Sequence, residues 1–156
     1  MTRISLSCLA LLTTLTMGTS KEAHSQESCK NQLSEVKQDI EGRLGAKIIS
    51  IEKTANLNSP FRDAKYELTI RLGSIVNSGI TPSQSRAGEK IINRPSVTSS
   101  YSQRIISNCT DLASILFTAY EYRVGWVLLP GGKLQQMKCM DWNRDNYYAW
   151  GKMGCY

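Results

Sequence analysis

A chain of 156 residues with 41% hydrophobic and 21% charged residues carries enough apolar material for one core. Its 19 basic and 13 acidic residues leave a net charge of +6, spread along the sequence in no long run of one sign, so nucleic acid is not expected as a partner. The sole histidine, His24, lies in a segment read below as removable, which excludes Ser-His-Asp and Cys-His catalysis and histidine-held metal in the remainder.

Met1 to about Ser25 has the three parts of a secretory signal. Arg3 supplies a positive start, Leu6 to Met17 is an uncharged apolar run, and Ala23 and Ser25 place small residues at the −3 and −1 positions. Cleavage is expected before Gln26, with a competing site before Lys21. The apolar run falls short of the roughly 20 residues a membrane span needs, and no later stretch is long and apolar enough to span. The expected organisation is therefore a leader over 1–25 and one exported, soluble domain over 26–156, periplasmic or extracellular. Removal of the leader takes Arg3, Lys21 and Glu22 with it, leaving 17 basic and 12 acidic residues and a net charge of +5.

In the remaining chain, Cys29, Leu33, Val36, Ile40 and Leu44 recur at spacings of three and four, which predicts an amphipathic helix over 28–44 with Gly45 as its left-handed stop. Lys47 to Lys53 reads as a strand. Asn56 to Pro60 is turn chemistry. Tyr66, Leu68, Ile70 and Leu72 then alternate with Glu67, Thr69 and Arg71, the pattern of a strand with one wet and one packed face. Residues 73–98, rich in Ser, Gly, Asn and Pro, read as a long loop with a short helix near Glu89 to Asn93; such a connection is often functional. Ser100 and Gln103 stand in the relation of a capping box, which predicts a helix from there to Cys109.

Leu112 to Ala119, Tyr122 to Leu129 and Lys133 to Met140 follow as an antiparallel meander, its second hairpin turned by Pro130-Gly131-Gly132. Tyr122, Val124, Trp126 and Leu128 share one face, Arg123, Gly125, Val127 and Leu129 the other. Apolar residues on both faces predict a central strand. The order α-β-β-α-β-β-β indicates an α+β domain with helices on one face of an antiparallel sheet.

Ile-Ile-Ser-Asn-Cys109, the following strand with Phe117, the hairpin to Lys138-Cys139 and the ending Trp150-Gly151-x-x-Gly154-Cys155 resemble a group of small exported proteins, mainly cyanobacterial. Their pattern is N-C, strand, hairpin, F-x-C and W-G-x-x-C. The resemblance covers about the last 60 residues, differs at Met137 and by one residue before Cys155, and implies no activity and no functional residues.

Four cysteines outside the leader are most simply two disulfides, and three pairings exist. Cys109 and Cys139 stand at opposite ends of the meander, about 20 Å apart at 3.3 Å per residue, beyond the roughly 7 Å a disulfide allows. The expected pairs are Cys139 with Cys155 and Cys29 with Cys109. A four-thiolate zinc site lacks any C-x-x-C knuckle, and no phosphate-loop glycine pattern occurs, so neither metal nor cofactor is expected.

The aromatic group Trp142, Tyr147, Tyr148 and Trp150 is the candidate ligand surface, since flat rings anchor interfaces; the plainer reading is a lid of core residues clipped by Cys155. The expectation is a non-catalytic binding or interaction module, with an envelope glycan or protein as the partner sought. The alternative is a small hydrolase using carboxylates such as Glu121, Asp141 and Asp145.

Overall fold

The computed structural model describes residues 19–74, 76–77, 79–140 and 150–154, with side chains from residue 24 onward. The first helix, α1, spans Thr19–Gln38 and continues as one π turn over Asp39–Arg43. It begins nine residues before the expected start because nothing stops it: no proline or glycine intervenes, and Lys21, Glu22, Ala23, Gln26 and Glu27 favour helix. The expected cleavage point after Ser25 therefore falls inside α1. At the other end, the Leu44 N–H donates to the Asp39 carbonyl and Gly45 takes φ +71°, the left-handed stop expected of it. Val36 and Ile40 are buried, and Cys29 and Leu33 pack against the same core.

Strands β1 (Ile48–Ala55) and β2 (Tyr66–Leu72) form an antiparallel pair. The loop between them is an Asx turn, in which the Asn58 N–H donates to Asn56 Oδ1. Residues 73–98 are not mainly loop. They hold a helix of eleven residues, α2 (Pro82–Ile92), and the first turn of α3 (Pro95–Asn108). The capping box belongs to α2: Thr81 Oγ1 accepts from the Gln84 N–H, and Gln84 Oε1 accepts from the Thr81 N–H. Ser100 and Gln103, with the same spacing, sit inside α3 instead. Both helices carry proline in the first turn, where its fixed φ suits the helix and its missing N–H costs nothing.

Then come β3 (Leu112–Ala119), β4 (Tyr122–Leu128) and β5 (Leu134–Gln136). The sheet order is β1-β2-β3-β4-β5. Three of its pairs are antiparallel, and β2 with β3 is parallel because α2 and α3 form the crossover a parallel pair requires. The expected single strand over 133–140 divides at Met137. β5 stays on the main sheet, while β6 (Lys138–Cys139) joins β7 (Lys152–Met153) in a separate parallel ribbon. Met137 itself lies over Gly125, where a Cβ would come within 2.6 Å of the Met137 sulfur.

All helices lie on one face of the sheet. Leu68, Ile70 and Leu72 of β2, Ile115, Phe117 and Ala119 of β3, and Val124 and Trp126 of β4 meet Ile40, Ile91, Tyr101 and Ile105 there. Trp126 Nε1–H donates to Thr98 Oγ1 at 3.0 Å, and Thr98 in turn donates to the Pro95 carbonyl at 3.2 Å. Central placement of β4, between β3 and β5, accounts for its two apolar faces.

The Cys29–Cys109 disulfide ties α1 to the end of α3, with Cα atoms 4.7 Å apart. Closing a loop with a sequence separation of 80 stabilises by about 4.5 kcal/mol on the chain-entropy estimate. Around it Ser28 Oγ donates to Asn108 Oδ1 at 2.8 Å, and Arg104 bridges Glu35 and Asp39 at 3.2 and 3.5 Å. Cys139 is disulfide-bonded as well, and Cys155, the partner expected for it, lies outside the described residues. Among the described residues no helix is long and apolar enough to cross a membrane.

Candidate binding groove on the open sheet face

The face of the sheet away from the helices is mainly polar on β1 and β2 and mixed on β3 and β4, and the strand register arranges it in rows. Arg71 of β2 is the Cα partner of Thr118 of β3, which is the partner of Arg123 of β4. With neighbouring strands about 4.8 Å apart, the two arginines stand about 10 Å apart at the Cα with a threonine between them. The next row is Glu52, Thr69, Leu116 and Gly125, and the third is Thr54, Glu67, Ser114 and Val127.

The third row is closed. Ser114 Oγ donates to Glu67 Oε2 at 3.0 Å and accepts from Asn56 Nδ2 at 3.4 Å. Beside it the chain returns from the tail. Trp150 Nε1–H donates to the Leu128 carbonyl at 3.2 Å, and its ring meets Phe61 edge-on at 6.1 Å. The half-buried Trp150 thus packs at the end of the open face far from the arginines. Trp142, Tyr147 and Tyr148 lie outside the described residues, as do Asp141 and Asp145.

The first row and, apart from Gly125 beneath Met137, the second remain open and floor a groove of about 470 Å³. This is within the range of small-molecule sites. One wall is the loop after β2, where Ser74 N–H and Oγ both donate to Asn77 Oδ1, at 3.0 and 3.2 Å. The other is Tyr120, in the two-residue turn between β3 and β4. Tyr120 has φ +53°, the one positive φ at a non-glycine among the described residues. The first position of such a turn belongs to glycine, and a bulky residue held there costs on the order of 1–3 kcal/mol. The ring is 59% exposed, and Val76, 64% exposed, also lines the groove.

The groove therefore offers two guanidiniums flanking a hydroxyl, with an apolar spot at Leu116 and a ring at the rim. Guanidinium presents a planar fork that matches a carboxylate, phosphate or sulfate. Arg123 is also engaged within the chain. Glu52, bonded by Ser50 Oγ at 2.7 Å, is the single acid among the lining residues. Glu121 projects from the exposed turn beside Tyr120 and does not line the groove. Among the described residues no group of three His, Cys, Asp or Glu stands together as metal ligands would.

The sequence reading pointed to the tail and to 73–98. It missed Arg71, Thr118, Tyr120 and Arg123: alternation put Arg71 on the wet face of its strand, and nothing local showed that Thr118 and Arg123 share its row. Fold and groove together define a disulfide-linked α+β domain with one covered and one open sheet face. No family model, no curated protein and no solved structure matches the chain.

Proposed function

We propose that the protein is an exported, non-catalytic binding module of the cell envelope or extracellular space. In this reading the open sheet face takes a small ligand bearing a carboxylate, phosphate or sulfate, such as an acidic fragment of an envelope glycan. The observation that carries it is the Arg71, Thr118, Arg123 row with Tyr120 held at its rim against its backbone preference. Export is supported by the leader pattern and by a disulfide suited to an oxidising compartment. Binding is favoured over hydrolysis because a glycosidase needs two facing carboxylates and the groove lining holds one, Glu52.

The test is a titration of isotope-labelled protein with a uronic acid oligosaccharide, followed by amide shifts. Shifts confined to residues 69–77 and 116–123, and lost in Arg71→Gln/Arg123→Gln, support the reading. Shifts elsewhere, or retained in the double variant, refute it. Intact mass of the exported chain checks the address: a start at Gln26 is expected.

A further inference from the structure

On the helical side of the molecule, across the sheet from the two arginines, α2 and α3 enclose a second groove. We propose that it is a binding site for a single-chain anionic amphiphile, with the head held by three cations and the tail lying between the helices.

The cations are Arg86, Lys90 and Arg94, spaced four residues apart along α2 and into its junction with α3. Like charges at that spacing repel. The ion pairs among the described residues use Glu35, Asp39, Glu41 and Asp111, and none reaches these three side chains; Glu89, the acid of α2 between them, is bonded by Ser85 Oγ at 3.4 Å. All three are exposed, with long apolar stems that can lie along the groove while their heads ring its mouth. An anion at the mouth turns the repulsion into attraction.

Below the charges the lining changes character. Leu44, Ala87, Ile91 and Val97 form the floor, and only Ser83 adds a neutral polar group. The volume is about 280 Å³, open along one side. That volume is of the order of a single alkyl chain. The floor also argues against a bilayer. Residues of a helix that lies in a membrane surface stand outward into the acyl region, whereas Ile91 is only 4% exposed. A bilayer would meet the cations and stop there, whereas a lone chain can lie along the half-buried Leu44, Ala87 and Val97.

The site does not depend on the sheet groove, so either can fail without the other. The probe is laurate, titrated calorimetrically below its micellar concentration into the oxidised protein. Binding of one laurate per chain is expected, weakened at least tenfold in Arg86→Gln/Lys90→Gln/Arg94→Gln. These positions are exposed, so folding should be retained; near-ultraviolet circular dichroism verifies it. Ala87→Phe, which fills the floor and leaves the charges, should also weaken laurate binding, and Arg71→Gln/Arg123→Gln should leave it unchanged. Equal binding by the triple variant, or binding of dodecyltrimethylammonium as tight as laurate, overturns the proposal. So does inorganic phosphate binding as tightly as laurate, which would mark a plain anion site. Sedimentation with phosphatidylglycerol vesicles without binding of monomeric laurate would mark a membrane-docking face instead and overturns it equally.

Discussion

The two faces of the sheet are made by the same strands and do opposite work. On β3, Ile115, Phe117 and Ala119 point under the helices and are fully buried, while Leu116 and Thr118 between them line an open groove. On β2, Ile70 is fully buried and Arg71 beside it is exposed. A period of two therefore separates core packing from the proposed recognition surface along Leu116–Thr118 and Ile70–Arg71. A substitution on the covered face should change folding and leave the affinity of the folded protein alone. One on the open face should do the reverse.

The sharpest way to break that division is Phe117→Ala. It removes a fully buried ring at the centre of the covered face, and a loss of about 3–5 kcal/mol in urea unfolding is expected. Binding in the open groove by the fraction still folded should be unaltered. A smaller loss, about 1–3 kcal/mol, is expected for Thr98→Val, which leaves the buried Trp126 N–H without its acceptor; tryptophan fluorescence during unfolding reads it directly. Tyr120→Gly should go the other way. Relief of the positive φ is expected to stabilise the fold by about 1 kcal/mol, while ligand affinity in the sheet groove falls. Unchanged affinity would detach the strained turn from recognition.

The smallest expected effect is on acid stability. Burial would raise the pKa of Glu41, but the Ile48 N–H and the Lys47 ammonium, each 3.1 Å away, outweigh it and hold the carboxyl below its ordinary value. A lowered folded pKa means the contribution is complete above the ordinary value of 4.5 and is lost as pH falls through the lower folded value. Wild type should therefore lose more stability than Glu41→Gln across that acid window, as urea midpoints at successive pH values would show.

Much of the covered face was legible in the sequence. Alternation over 66–72, the β-branched and aromatic run of β4, and Cys29 on an apolar helical stripe each identify their elements locally. The helices of residues 82–108 were less so. Pro, Ser and Thr make up six of the eight residues 95–102 and favour helix weakly. What holds it helical is tertiary: Thr98, Tyr101, Ser102 and Ile105 bury one side of α3, and Gly88 lets α2 approach β2 so closely that a Cβ would stand 3.2 Å from the Gly73 carbonyl. Thr81-x-x-Gln84 and Ser100-x-x-Gln103 carry the same capping signature, and only the first, followed by a proline at the first helical position, starts a helix. The groove was hidden for a different reason. Arg71 and Arg123 come together only through β3, and the parallel pairing that aligns Arg71 with Thr118 leaves no local trace.

The disulfide joining α1 to α3 has a consequence in time. Cys109 is the first cysteine to follow Cys29 in the chain. A polypeptide made from its N-terminus at about 5–20 residues per second presents Cys29, with only Cys8 before it, for roughly 4–16 s before Cys109 appears. The first downstream thiol it meets is its native partner, and Cys139 follows 30 residues later. With the proposed leader and its Cys8 removed, oxidation in order of emergence would deliver the correct bond without reshuffling.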